Sequence, residues 1–475
     1  MSALVDLVRS GGHILVAGAG VSGAGIVAIL KDLGATNITV VDDNTERALS
    51  LGVSFSTTAE AAADLTEVCL IAASPGWRPD SALFAAADAA GVPVVGEISL
   101  ARAGDADGVW GDPRTWIVIT GTNGKTTTTG MLAAILGPRG LAVGNIGVPL
   151  HTALTAPHRV EILAAELSSF QLHWSPTVHP DAGALLNLAE DHIDWHGSFE
   201  NYALDKANAL TGEVAVYGAD DQMVAETVGK LREAGTLAPQ VVGFTAGEPA
   251  PGQVGIKDGQ VVDRAFSDDP DGLAITAADH LQPPGIRGQL NGTAAIALAR
   301  SVGLTPEEIT EGLSTFTVEA HRGQIVHRSA DVVWFDDSKA TNPHAADAAM
   351  TGLSDFVWVG GGQLKGADIR PLVAKHAHSM NSAVLLGVDA QQIADALAEV
   401  RPDLPVTVIT DTDPRQSMIQ ATAAAAAAAT STVLLAPAAA SLDMFTGMSQ
   451  RGDFFAEGAV LATMAENHTE ATERR

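Results

Sequence analysis

Residues 119–130 read ITGTNGKTTTTG. A phosphate loop of the common form G-x-x-x-x-G-K-[ST] would place its first glycine at position 119 here, counting back from Gly124-Lys125-Thr126, and that position is Ile119. The first glycine is Gly121, so the loop is two residues short of the pattern. Its surroundings are those of a phosphate loop nonetheless: an apolar run, TWIVIT, enters it and a helical run, TTTGMLAAIL, leaves it. Held by Gly121 and Gly124, main-chain N–H groups can surround phosphate oxygens. Lys125 then reaches the terminal phosphates and the Thr126 hydroxyl faces Mg²⁺. The plainer alternative is a Gly-Lys-Thr turn at the start of a helix.

Outward from this loop the chain divides into α/β units. Residues 1–100 alternate β-rich runs (HILVAGAG, NITVVDD, VCLIAASPG, VPVVGEI) with alanine-rich helical stretches such as SALFAAADAAG. That alternation predicts a Rossmann-like parallel sheet wrapped by helices. ARAGDADGVWGDPRT, residues 101–115, is polar and glycine-rich and is expected to be a linker. A central P-loop domain with a mostly parallel sheet is expected over 101–318. A third, Rossmann-like α/β domain is expected over 319–475, from DVVWFDD, DFVWVGG, SAVLLGV, PVTVIT and TVLLAPA. The run ATAAAAAAAT at 421–430 reads as a packed helix.

Composition sets limits on function. Twenty-seven Lys plus Arg stand against 56 Asp plus Glu, a net charge of −29, which argues against nucleic acid or an anionic membrane as a general partner. An anionic substrate must be met locally, by loops, helix N-termini, metals or a few placed cations. The lone Cys69 excludes an intrachain disulfide and fits a cytoplasmic protein. Residues 13–30 carry no Asp, Glu, Lys or Arg, but glycines at 18, 20, 23 and 25 make them a strand, turn and helix and not a membrane span. The N-terminus has no secretory pattern, and no membrane insertion is expected.

GAGVSG at 18–23 satisfies G-x-G-x-x-G between strand and helix, with Asp42 at the end of the next strand. Such a turn admits a pyrophosphate, which NAD, FAD and a UDP-sugar all offer. AAELSSFQL places Glu166 at the end of an apolar run, where a carboxylate needs a cation or a metal. NLAEDHIDWHG groups Asp191, His192, Asp194 and His196 after a strand, a position suited to metal and phosphate. Lys206 looks, by itself, like an exposed helix lysine. In the third unit FDDSKATNPHA, GGGQLKGAD and APAAASLDMF each follow an apolar strand and carry Lys339, Lys365 or Ser441, which suggests an anion-binding cleft.

SPG at 74–76, GEISL at 96–100, GTNGKTT at 121–127, ELSSFQL at 166–172, DHIDWH at 191–196, DSKATN at 337–342 and GGQLKGAD at 361–368 resemble the Mur ligases, in order and over nearly the whole chain. The resemblance implies ATP-dependent amide formation in peptidoglycan precursor synthesis. D-glutamate would be joined to the L-alanine carboxylate of UDP-MurNAc-L-Ala through an acyl phosphate, by a cytoplasmic enzyme that acts as a monomer. It further implies that Gly121, Thr122, Asn123, Gly124, Lys125, Thr126 and Thr127, with Asn291, Arg322 and Asp337, bind ATP. Thr126 and Glu166 would hold one Mg²⁺, and His192 with a carbamylated Lys206 a second. Val21, Ser22, Asp42, Ser74, Gly76, Asn145 and Ser168 would meet the nucleotide sugar, and Thr341, Lys365 and Ser441 the D-glutamate. Lys125, Glu166, His192 and Lys206 are thereby the expected catalytic set. Three positions depart from the family pattern: Leu290 and Ala294 in QLNGTAA stand where an H-N-x-x-N segment has its histidine and second asparagine, and Met448 stands where an aromatic is common. A different amide ligase of the superfamily, a nicotinamide dehydrogenase resting on GAGVSG and Asp42, and a non-catalytic ATP-binding protein are the alternatives.

Overall fold

Short runs of β-branched and aliphatic residues, bounded by glycine and by helical stretches, become three separate sheets. The computed structural model describes residues 3–329 and 332–473. In the first sheet the strands Ser54–Ser56, Ile38–Val41, His13–Ala17, Val68–Ala73 and Val94–Gly96 lie side by side in that order, all parallel. This is half of a doubly wound fold, and its order reverses between His13–Ala17 and Val68–Ala73. Ligands bind at the carboxyl edge of such a reversal. GAGVSG and Ser74 both lie at that edge.

The second sheet has nine strands, ordered Leu273–Ala277, Gln260–Asp263, Gln253–Lys257, Gln240–Phe244, Val214–Gly218, Ala182–Leu185, Thr115–Thr120, Ile162–Glu166 and Gly140–Gly144. From Gln253–Lys257 to Gly140–Gly144 it is parallel, and a small antiparallel extension closes the other side. Thr115–Thr120 is covered on both faces, which is why TWIVIT is apolar without alternation. Close packing leaves no room for a side chain at Gly183, where a Cβ would stand 1.7 Å from the Ala209 carbonyl oxygen.

The third sheet runs Gln324–Ser329, Val332–Asp336, Thr432–Leu435, Phe356–Gly361, Met380–Leu386 and Val406–Val408, parallel except for the first pair. Residues 421–428 of the alanine-rich run lie in the helix Pro414–Ala428, as their propensity predicts, and the last two residues of the run fall beyond its end. The strands Ser54–Ser56 and Gln324–Ser329 were not foreseen. Both are edge strands with little apolar content, so no hydrophobic period marks them.

The stretch expected as a linker is instead anchored to the core at Ala101, Gly104, Asp105 and Arg114. Helix Glu97–Ala106 runs across residue 100, and Asp105 is fully buried against Arg114, with the Trp116 indole N–H donating to it over 2.9 Å. Charge and glycine content suggested solvent, but an ion pair whose Asp105 carboxylate also accepts from the Arg114 backbone N–H and the Trp116 indole makes burial possible. By internal packing the chain forms two compact units, one of Met1–Leu281 with Leu290–Phe316 and one of Gln282–Gln289 with Thr317–Arg475. The first contains the five- and nine-stranded sheets and the second the six-stranded sheet. Among the described residues no helix is long and apolar enough to cross a membrane.

Candidate functional site

The loop after Thr115–Thr120 turns sharply into helix Lys125–Leu136, with Gly124 at φ +82° as its cap. A side chain at Gly124 would be strained by that dihedral and would also meet the Asn291 amide oxygen at 2.3 Å. Asn187 fixes the loop from the neighbouring strand end. Its carbonyl accepts from the Thr122 N–H (3.0 Å), its side-chain oxygen from the Asn123 N–H (2.8 Å), and its amide donates to the Asn123 carbonyl (3.0 Å). The Thr122 hydroxyl shares a 2.9 Å hydrogen bond with Tyr202. Lys125 Nζ donates to the carbonyls of Gly121 (2.9 Å) and Thr122 (3.0 Å), and Thr126 and Thr127 are buried in the first helical turn.

Three segments bring their functional groups toward this loop. Glu166 ends the adjacent strand and is 1% exposed. One of its oxygens accepts from the Asn145 amide at 3.0 Å, whereas Oε2 is buried with no hydrogen-bond partner. A buried carboxylate oxygen without a donor is costly, and a cation is the group that would complete it. Lys206, on helix Phe199–Ala207, is 2% exposed and donates to the Gly121 carbonyl at 2.8 Å and the Thr120 hydroxyl at 3.3 Å. Burial, reinforced by the nearby Lys125 charge, holds its amine well below the usual lysine range, against the opposing pull of Asp191 and Glu166. His192 sits at φ +53° with its ring against Phe170, 4.7 Å between centroids.

Lys125, Asn145, Ser168, Asp191, His192 and Lys206 line one cavity of about 450 Å³, and Ser22 and Pro75 from the first sheet's edge close it. A second cavity, of about 350 Å³, shares Ser22, Asn145 and Gln171 with it and continues past Val21, Gly147, His151 and Glu97. The shared residues form a path from the glycine-rich turn of the first sheet to the phosphate loop of the second. Val21 is 85% exposed at the mouth, and Gly76 has open space around it. The Asp42 carboxylate accepts from Ala19 N–H and Asn44 N–H, each at 2.8 Å, and so holds the turn. Burial alone raises the Glu97 carboxyl to about 7. Beside the phosphate loop, Leu290, Asn291, Asn187, Asp220 and Phe244 line a smaller cavity of about 200 Å³.

In the second unit the three expected loops do lie together at one sheet edge. Gln363 and Ala440 exchange two 2.9 Å backbone hydrogen bonds, joining the loop of Lys365 to that of Ser441. Arg451, 1% exposed, donates to the Ser338 hydroxyl and carbonyl and to the carbonyls of Gly361 and Ala439, tying in the segment that carries Thr341. Its burial lowers the guanidinium to about 10. Asp337 is 2% exposed and paired with Arg287, and Arg322 Nε donates to Glu319 at 3.0 Å. Lys365 is exposed at φ +54°, whereas Ser441 is buried.

Sequence reasoning missed Asn187, Tyr202 and Arg451. Asn187 had a signal, standing directly after the strand and before the acidic cluster. Arg451 had none, since a fully buried arginine is the exception for its type. His196 is not where its neighbours in sequence placed it. It turns away from His192 toward Asp205 and Ser169.

Fold and site together place the protein among α/β proteins whose central, mostly parallel sheet carries a strand, phosphate-type loop and helix, beside further Rossmann-like sheets. Within that class the chain belongs to the Mur ligase family: residues 119–265 match the Mur ligase middle domain, and residues 321–439 match the Mur ligase, glutamate ligase domain. The UDP-N-acetylmuramoylalanine--D-glutamate ligase of Corynebacterium efficiens is 49% identical over 98% of this chain and 97% of its own. That of Mycobacterium avium is 44% identical over 94% and 96%. The crystal structure of MurF from Acinetobacter baumannii has the same fold at a TM-score of 0.57 and 17% identity, covering 95% of this chain and 92% of that one.

Proposed function

We propose that the protein is an ATP-dependent ligase that adds D-glutamate to UDP-N-acetylmuramoyl-L-alanine in peptidoglycan synthesis, releasing ADP and phosphate. The observation that carries the reading is the cavity where Lys125, Lys206 and the approach from Ser22 converge. A carboxylate at neutral pH is a poor acylating agent. Phosphorylating it and then presenting a positioned amine divides amide formation into two accessible steps. ATP with Mg²⁺ supplies the phosphoryl group and neutralises its charge when bound.

The chain's residues do the rest. Lys125 and the N–H groups of residues 121–127 position the terminal phosphates, with Asn291, Arg322 and Asp337 on the rest of the nucleotide. Thr126 and the free oxygen of Glu166 would hold one Mg²⁺, and Asn145 orients that carboxylate. His192 and Lys206 would hold a second. The depressed Lys206 amine supports carbamylation, since only a neutral amine adds CO₂, forming an N–C bond, releasing one proton and leaving an anionic oxygen ligand. Val21, Ser22, Asp42, Ser74 and Gly76 bind the UDP moiety, with Asn145 and Ser168 further along. Thr341, Lys365 and Ser441 receive D-glutamate. The domains are 1–100, 101–318 and 319–475, and the enzyme works as a cytoplasmic monomer whose product feeds cell-wall growth, shape and division.

The decisive experiment is the amino-acid dependence of phosphate release with UDP-N-acetylmuramoyl-L-alanine and ATP. Release with D-glutamate is expected. Release with meso-diaminopimelate or L-lysine and not with D-glutamate would overturn the assignment.

A further inference from the structure

His196 was grouped with His192 by sequence, yet it belongs to a different constellation. His173, His196 and Asp205 each offer one ligand atom, and these atoms all lie within 4.8 Å of one another. We propose that they form a binding site for one late first-row divalent cation, Zn²⁺ being the best match, built from residues other than those assigned to Mg²⁺.

The geometry is that of a partly formed tetrahedral site. His196 Nδ1 lies 2.8 Å and His173 Nδ1 3.0 Å from the same oxygen, Asp205 Oδ2. Around zinc at about 2.0–2.1 Å from each ligand the tetrahedral edge is about 3.3 Å, so each ring has to retreat from Asp205 by up to about half an ångström, while the two histidine nitrogens, within 4.8 Å of one another, close to that same edge. The buried His196 ring places its other nitrogen 3.0 Å from the Ser169 hydroxyl, the outer hydrogen bond that metal-bound imidazoles characteristically make. Aromatic rings wall the cluster: Trp174 and Trp195 stand edge-on to His173 at 4.7 and 5.0 Å, and Phe170 stacks on His196 at 5.5 Å. Two imidazoles and one carboxylate are a donor set for zinc, cobalt or nickel. Mg²⁺ favours oxygen-rich sets, and the sites assigned to it above include one nitrogen donor, His192, where this cluster has two. The His173 side chain is 28% exposed and that of Asp205 17%, which leaves an approach for the ion and for a fourth ligand from solvent.

The site also has something to hold. Its ligands come from helix Ser169–His173, of five residues, helix Ile193–His196, of four, and helix Phe199–Ala207. The first two are too short to persist by propensity. The same three segments carry Gln171, His192 and Lys206 to the catalytic cavity. A bound ion cross-links them and stiffens that wall.

The test is calorimetric titration of ZnCl₂ into chelator-treated, dialysed full-length protein in excess MgCl₂, with Co²⁺ absorption to report tetrahedral coordination. One Zn²⁺ per chain is expected, together with a zinc-dependent rise in Tm. His173→Gln, at the more exposed ligand, should weaken binding at least about tenfold and abolish the Tm rise. Glu166→Gln should leave both intact. An unchanged metal-free Tm for His173→Gln separates lost ligation from lost folding. No zinc binding, equal binding by His173→Gln, or loss of binding in Glu166→Gln overturns the proposal.

Discussion

Replacing Glu97 by glutamine tests how strongly burial disfavours the charged form of this carboxyl at the wall of the second cavity. Glu97 opens helix Glu97–Ala106, and one of its carboxylate oxygens would lie only 2.8 Å from a Cβ placed on Gly25. Burial lifts its carboxyl from the ordinary 4.5 to about 7. Between those two values the native state holds a proton that the unfolded chain has released, so stability falls as pH rises through that window. It is full below 4.5 and flat above about 7. At 1.36 kcal/mol per unit the complete effect is about 3 kcal/mol. That is an upper bound, because the side chain borders an open cavity and water there relieves part of the penalty. Glutamine has the shape of the protonated acid and no proton to lose. The stability of Glu97→Gln relative to the parent should therefore be near zero at pH 4.5, rise by at most about 1.4 kcal/mol per pH unit, and level off above pH 7 in the variant's favour. Urea unfolding of both proteins at half-unit steps from pH 4.5 to 8.5 measures this directly, since every other titrating group is common to the two. A difference that does not change with pH would refute the reasoning.

Glu166→Gln should raise the Mg²⁺ concentration required for phosphate release and lower kcat by about 10²-fold or more, read from initial rates over a Mg²⁺ series. Gly124→Ala combines a left-handed dihedral, costing about 1–2 kcal/mol, with a collision against Asn291, and should raise KM for ATP at least about tenfold. Protein equilibrated with ¹³C-bicarbonate should show a carbamate carbon resonance that Lys206→Met lacks; identical spectra would remove the modified lysine from the scheme. Arg114→Met leaves Asp105 charged and unpaired in the core and should cost about 3–5 kcal/mol in urea unfolding, with a loss under 1 kcal/mol counting against the buried pair.

Much of the fold was legible because its strands are buried on both faces. TWIVIT, DFVWVGG and SAVLLGV are apolar without interruption, and that signal survives without any knowledge of neighbours. Edge strands lack it, which is why Ser54–Ser56 and Gln324–Ser329 went unseen. The expected linker failed for a related reason: charged residues such as Asp105 and Arg114 are scored as solvated by composition, and only their pairing shows otherwise.

The sequence by itself determined which residues can do chemistry: a loop short enough to be unusual, a carboxylate stranded at the end of an apolar strand, and three polar loops at strand ends. These are properties of neighbouring residues, and local steric and hydrophobic preferences write them into the chain. The tertiary structure alone decided the state of those groups. Lys206 looked like a solvated helix lysine and became a buried, readily deprotonated amine because the fold brings it against Gly121, 85 residues away. His192 and His196, four positions apart, went to different clusters. Arg451 became the clasp of three loops. In each case desolvation and the approach of a distant charge set the outcome, and neither quantity exists until the sheets have packed.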